Sequence, residues 1–478
     1  MLGYWPALLL AVELALRAVV VARVIQRGPR RSASSLAWIL VVLVLPAAIS
    51  TIAWFLVGEA RLGSHRRAMC AILAERITLA AARAGPIEEH RAIPPDYEAT
   101  IALAAAVGGT PSRSGNDLTL IADTDQAFDA LIADLDAAQD HVHLLYYIFL
   151  PDATGRRVGG ALMRAARRGV TCRLLVDDVG SRDFLASSLR HDIESTGVRI
   201  VAALPANLVR AALARIDLRN HRKLAVVDGR IGYTGSQNVA DASFALKPRY
   251  APWVDCTLRI EGPVVRDLQS IFVTDWFVDA QESLEELLSR PVPEIPGGVA
   301  AQVLPTGPSN DNEALAQLAL AAFHRATDEL ILTTPYFVPG ESEVASLATA
   351  ARRGVSVALV LPARNDSRLV GAISRSHYRE LLDAGVEIHE YQKGLLHAKT
   401  LTVDRDLALV TTANFDRRSF ELNFEISVLV YDSDFASRLR FLQKSYMADS
   451  RRVKQADLPR SYVRRFVENA AGVLSPLL

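Results

Sequence analysis

Two clusters of residues in this 478-residue chain could carry phosphate chemistry, and each repeats the other. The first is His221-Arg222-Lys223, then Asp228, Gly235-Ser236 and Asn238. The second is His397-Ala398-Lys399, then Asp404, Thr411-Thr412 and Asn414. Each His, Lys, Asp and Asn lies 176 positions from its counterpart. With ten His and six Lys in the chain, roughly 0.1 His-x-Lys triplets would arise by chance. Two occur, and Asp follows each Lys by five residues. A third of all lysines serve this pattern, in a chain that otherwise uses 47 Arg.

The residue types suit one task. Imidazole acts as nucleophile or as general acid and base near neutral pH. Lysine supplies a compact positive charge for a phosphate oxygen. The amides of Asn238 and Asn414 can donate to the same phosphate. If two such units pack about a pseudo-twofold axis, two His, two Lys and two Asn surround one phosphorus. Lys223 and Lys399 then stabilise charge that a metal ion handles elsewhere, so no cofactor is expected. The other histidines considered, His141, His143, His324, His377 and His389, lack such company and read as structural or exposed.

Elements must bring these groups together. In a strand, positions i and i+2 share a face, so each His projects with its Lys. His141–Leu150 reads as a strand, Gly159–Arg168 as a helix and Thr171–Val176 as a strand. The order recurs in Glu329–Thr334, Ser342–Arg353 and Ser356–Leu361. The hexapeptide AARRGV occupies the same helix-to-strand junction at Ala165–Val170 and Ala350–Val355. Between the copies, Pro291 to Gly298 is rich in Pro and Gly and reads as a linker. The fold class is α/β, with two tandem domains at 116–290 and 301–478 joined by 291–300.

The formal charge is zero, from 53 basic and 53 acidic side chains, which removes the footprint of a dedicated nucleic-acid binder. Cys70, Cys172 and Cys256 are too few and too scattered for a disulfide framework or a cysteine zinc site. Two apolar stretches, Tyr4–Val24 and Leu36–Val57, each approach the ~20 residues that cross a bilayer as a helix. They predict a membrane hairpin over residues 1–60, with Glu13 and Arg17 paired one turn apart. Residues 61–115 read as a juxtamembrane linker. Arginines lie both between the stretches (Arg23, Arg27, Arg30, Arg31) and after them (Arg61, Arg66, Arg67), and we expect the catalytic region on the cytoplasmic side. A basic segment near the C-terminus (Arg451, Arg452, Lys454, Arg460, Arg464, Arg465) either lies on an anionic bilayer or packs as a surface helix.

The pattern H-x-K-x4-D followed by G-[GS]-x-N resembles the phospholipase D superfamily. The hairpin with Ala37-Trp38-Ile39-Leu40 and Pro46, the runs Tyr146-Tyr147-Ile148 and Tyr233-Thr234-Gly235-Ser236-Gln237-Asn238, and Thr333-Thr334-Pro335-Tyr336-Phe337-Val338-Pro339 narrow the match. Asn365-Asp366-Ser367, Asn423-Phe424-Glu425 and the terminal Leu474-Ser475-Pro476-Leu477-Leu478 extend it over almost the whole chain. Together they are similar to the bacterial cardiolipin synthases. The resemblance implies two phospholipase D-type domains, each a mixed sheet flanked by helices. It implies an enzyme of the bacterial inner membrane acting on phosphatidylglycerol and other phospholipids. His221 would attack phosphorus, His397 would serve as acid and base, and a second lipid would displace the enzyme. Pseudo-symmetry permits the reverse assignment. A hydrolytic phospholipase D, a nuclease of the superfamily or a non-catalytic scaffold are the competing readings.

Thr411 departs from the pattern, standing where the family has Gly; if that Gly takes φ > 0, a β-branched residue would strain the turn. The family motif also counts Asp228 and Asp404 with the catalytic His and Lys. They lie seven residues past their histidines, and that odd spacing turns them to the opposite face, where they would stabilise a local turn. Other carboxylates must then orient the imidazoles. Each copy offers one, at a spacing that resembles the superfamily's: Asp255, 34 positions after His221, and Glu425, 28 after His397.

Overall fold

The computed structural model describes the chain except residues 1–4, 27–31, 54–63, 84–96, 206–216, 245, 309–312 and most of 459–478. Among the described residues fifteen strands form one mixed sheet. In chain order they are β1 (Arg113–Ile121), β2 (His141–Tyr146), β3 (Thr171–Asp177), β4 (Arg199–Ala203), β5 (Lys223–Val227), β6 (Ile231–Gly235) and β7 (Thr257–Glu261). Then come β8 (Val299–Thr306), β9 (Glu329–Thr333), β10 (Ser356–Pro362), β11 (Glu387–Tyr391), β12 (Thr400–Val403), β13 (Leu407–Thr411), β14 (Glu425–Tyr431) and β15 (Ser450–Val453). From the middle outward the first half runs β1-β7-β6-β5-β2-β3-β4. The second runs β8-β14-β13-β12-β9-β10-β11 and adds β15 at its edge. The halves join where β1 pairs antiparallel with β8.

The repeated hexapeptide has a physical reason. The helices Ala153–Arg167 and Glu341–Arg352 both end against a glycine in the left-handed region, Gly169 at φ 93° and Gly354 at φ 96°. That conformation turns the chain so that Val170 and Val355 donate back to Ala165 and Ala350 before the next strand begins. Helices Val265–Ala280 and Ser433–Ala448 occupy equivalent places, and Trp276, Phe272, Phe435 and Tyr446 share one buried cluster across both halves.

Outside this body, α1 (Trp5–Ile25) packs with α2 (Ser32–Val44) and α3 (Ala47–Ala53). Among the described residues no helix is long and apolar enough to cross a membrane. α1 carries Glu13, Arg17 and Arg23, and Leu45-Pro46 divides the second apolar stretch into helices of 13 and 7 residues. The stretch read as a linker holds two helices, Ser64–Arg83 and Glu98–Gly108. The first docks through Arg66, whose guanidinium grips Asp279 at 2.9 and 3.0 Å. The C-terminal basic segment begins as the edge strand β15, with Arg451 on Glu390 and Arg452 on Glu387, both 2.7 Å. Arg27, Arg30, Arg31, Arg61, Arg460, Arg464, Arg465 and the end of the second apolar stretch lie outside the described residues.

Candidate active site

Each His-x-Lys begins just before a strand, β5 in one half and β12 in the other. The backbone leading into each histidine is held by the opposite half. Asn220 bridges Phe424 in parallel, and His221 N–H donates to the Phe424 carbonyl at 3.0 Å. Leu395-Leu396 pairs in parallel with Trp253-Val254, and His397 N–H donates to the Val254 carbonyl at 2.7 Å. The next residue along each partner segment is a carboxylate, and it meets the imidazole. Nδ1 of His221 lies 3.0 Å from Glu425 Oε2, and Nδ1 of His397 lies 2.6 Å from Asp255 Oδ1.

The expected pairing within each half is therefore corrected. Asp255 holds His397 and Glu425 holds His221, because the parallel bridges cross between halves. Both carboxylates are themselves fixed. Ser236 Oγ donates to Asp255 at 2.5 Å and accepts from Cys256 N–H; Thr412 Oγ1 donates to Glu425 at 2.5 Å and accepts from Ile426 N–H. Sequence reading assigned these hydroxyls no role. Their signal was present: a hydroxyl recurs at the shared spacing of 176 although the neighbouring Gly does not.

Asp228 and Asp404 sit away from the rings. Asp228 accepts from the backbone N–H groups of Gln139, Asp140 and His141, and Asp404 from those of Thr327, Asp328 and Glu329. Both adopt left-handed backbone, φ 53° and 52°, at the turn after their strand. They form no hydrogen bond to either catalytic histidine; they brace the turn, as their odd spacing predicts, and are not placed among the reacting side chains with which the family motif groups them. Gly235 has φ 143°, and a Cβ there would sit 2.4 Å from the Cys256 carbonyl. Thr411 escapes that strain, since it is absent from the left-handed region and its hydroxyl bonds Ser427 Oγ at 2.8 Å.

The lysines are almost sealed, each 1% exposed. Nζ of Lys223 donates to the His221 carbonyl at 2.6 Å and Nζ of Lys399 to the His397 carbonyl at 2.7 Å. Burial pushes Lys223 down to about 7 against the pull of Glu425, and the charge on Lys399 adds to the fall. Burial likewise brings Lys399 to about 8. Both imidazoles are driven to about 4 by burial, against the carboxylates that pull them up. Burial works to raise Asp255, but His397, Lys399 and Ser236 outweigh it and hold it at about 2. Glu425 is lowered in the same way by His221, Lys223 and Thr412. The site thus gathers two imidazoles and two lysines whose charged forms are disfavoured by burial.

Asn238 and Asn414 are buried nearby. Asn238 Oδ1 accepts from Ile148 N–H at 3.2 Å, which leaves its amide hydrogens for other acceptors. Asn414 Oδ1 is buried without a hydrogen-bond partner. Rings flank both imidazoles, Tyr147 on His221 and Trp253 on His397, each with centroids 4.6 Å apart. Arg222 braces only the first copy: it pairs with Asp275 at 2.8 Å and donates to the Glu425 and Thr306 carbonyls. Among the described residues no group of three or more His, Cys, Asp or Glu is placed to hold a metal ion.

A family model described as a cardiolipin synthase, phospholipase D-like domain matches residues 131–276 and 319–443. The chain is similar to cardiolipin synthase A of Pectobacterium carotovorum subsp. carotovorum, 37% identical with 100% of this chain and 97% of that protein covered. It is 36% identical to cardiolipin synthase A of Cronobacter sakazakii, with the same shares covered. In solved structures it resembles phosphatidylserine synthase of Haemophilus influenzae Rd KW20, with a TM-score of 0.60 at 14% identity, covering 79% of this chain and 100% of that one.

Proposed function

Because the chain belongs to the cardiolipin synthase family of phospholipase D-like proteins, we propose that it transfers a phosphatidyl group from one phosphatidylglycerol to another through a phosphohistidine. The observation that carries this reading is the crossed pair of imidazoles, each fixed at Nδ1 by a carboxylate of the other half. A proton on Nδ1 leaves the Nε2 lone pair free to act.

His221 Nε2 attacks phosphorus while the bond to the leaving glycerol breaks, and His397 gives that glycerol oxygen its proton. The hydroxyl of a second phosphatidylglycerol then surrenders its proton to His397 as its oxygen displaces His221 from phosphorus. Cardiolipin and glycerol leave, and both rings return to their starting state. Lys223, Lys399, Asn238 and Asn414 take the non-bridging oxygens. An anion held between the rings favours a protonated imidazole, which burial alone opposes.

The helices α1–α3 support attachment to the bilayer. Arg17 bonds Glu13 at 2.6 Å and the Leu43 carbonyl at 2.7 Å, so these two charges neutralise each other at the contact between α1 and α2. Leu8, Leu9, Leu10 and Leu14 are exposed. We read this hairpin as the membrane anchor, with residues 116–290 and 301–478 as the two catalytic domains on the cytoplasmic face.

Purified full-length protein in mixed micelles of phosphatidylglycerol, with excess chelator, should release cardiolipin and glycerol in equal amounts. Phosphatidic acid as the main product would make it a hydrolase, and no turnover with or without metal would make it a scaffold.

A further inference from the structure

A second cleft, of about 370 Å³, opens at the far end of β5, where Asp228 closes the turn into β6. The five residues of β5 put roughly 15 Å between this cleft and the catalytic lysine. Its wall carries three guanidiniums, Arg230, Arg266 and Arg290. The carboxylates at its rim are already engaged. Asp228 accepts three backbone N–H groups, and Asp140 is bound by Arg290 and by Nδ1 of His141.

Arg266 is the odd member. It is 7% exposed, yet its guanidinium forms no hydrogen bond or ion pair with any described residue. Its charged neighbours are Arg113, which repels it, and Asp267, which Arg113 already grips at 2.5 and 2.8 Å. Burial first, and then Arg113, pull its pKa below the ordinary arginine value. The other buried arginines of this body, Arg66, Arg113 and Arg222, each have a carboxylate. A guanidinium that faces a cleft from a buried stem, without a carboxylate, is the kind of group that a ligand completes.

We propose that this cleft binds a phosphate-bearing anion, gripped by Arg266 together with Arg230, with Arg290 held at the rim by Asp140, at a site separate from the reacting histidines. Planar guanidiniums match a tetrahedral oxyanion through paired N–H donors, and the volume falls within the usual range of small-ligand pockets. The same oxyanion is presented by a lipid phosphodiester and by free phosphate.

The test uses the full chain in detergent carrying Lys223→Gln and Lys399→Gln, which disables the catalytic phosphate site. At constant ionic strength, inorganic phosphate or soluble short-chain phosphatidylglycerol at about ten times its Kd should raise Tm by roughly 2 °C. Adding Arg266→Met should abolish that rise. A response to phosphate makes the free ion sufficient; a response to the short-chain lipid alone makes the ligand a headgroup. Without any anion, Arg266→Met should leave Tm unchanged or higher, because it removes an uncompensated charge of similar volume. The proposal is overturned if neither ligand shifts Tm, if chloride shifts it equally, or if the shift survives Arg266→Met. A lower Tm for Arg266→Met without anion would also overturn it, by showing that the guanidinium is satisfied within the fold.

Discussion

The two halves of the sheet present the same His-x-Lys to one site but brace it differently. In the first, Arg222 ties the histidine segment to Asp275, which also receives the Asn220 amide at 2.8 Å. Phe424, whose carbonyl accepts from His221, has two guanidiniums over its ring, Arg66 and Arg222, each 5.3 Å from the centroid. In the second, Ala398 replaces that arginine, and His397 rests on Trp253 and on Asp255, the carboxylate held at about 2. A ring that forms a bond to phosphorus gains from immobility, whereas one that carries a proton gains from a carboxylate that stabilises its cation. Duplication supplied equal groups, and the surroundings made them unequal.

The widest gap between the halves should appear when each ring is removed. His221→Ala and His397→Ala should each cut turnover by roughly 10⁴-fold or more. With a substrate whose acidic leaving group needs no protonation, His397→Ala should still form a covalent adduct, and His221→Ala should form none. Adduct trapped on His397 would reverse the roles.

The crossed carboxylates come next. Glu425→Gln and Asp255→Asn should each lower kcat by roughly a hundredfold with the fold intact. An acidic leaving group should rescue adduct formation in Asp255→Asn but not in Glu425→Gln. The opposite rescue pattern would break the crossed arrangement.

A pH series sharpens the contrast between the lysines and the rest of the core. Their folded values of about 7 and 8 lie below the ordinary 10.5, so between those values the unfolded chain binds more protons than the native one. In phosphate-free buffer, thermal stability should therefore climb as pH rises from about 7 toward 10, with the full penalty present below 7. Lys223→Met with Lys399→Met should flatten that climb and raise Tm at pH 7. A profile unchanged by both substitutions would show that the lysines do not titrate in this window.

The smallest effect on activity is expected at the motif aspartates. Asp228→Asn and Asp404→Asn should keep kcat within about threefold while each destabilises the protein by about 1–3 kcal/mol through weakened backbone hydrogen bonds. A hundredfold loss of kcat at unchanged Tm would return them to the chemistry.

The His, Lys and Asn positions were legible because a strand motif is local and was written twice. The turned-away aspartates followed from counting residues along an extended chain. The partner of each imidazole did not follow. Asp255 and Glu425 were both visible, but spacing along the chain cannot choose between two carboxylates when the deciding contact is a parallel bridge between distant segments. Arg266 was invisible for a related reason, since in a chain with 47 arginines only burial and the lack of a carboxylate single one out. The second apolar run at the N-terminus reads as one helix, although Pro46, plain in the sequence, follows the end of the 13-residue helix α2.

The 204 positions between His221 and Glu425 also set a clock. At ordinary synthesis rates the first histidine leaves the ribosome roughly 10–40 s before the carboxylate that orients it. His397 emerges with its own carboxylate already made, yet it too must wait for its half of the sheet to dock. A chain that ends before Glu425 therefore carries His221 without the carboxylate that meets its Nδ1, and the paired arrangement is complete only with the last strands.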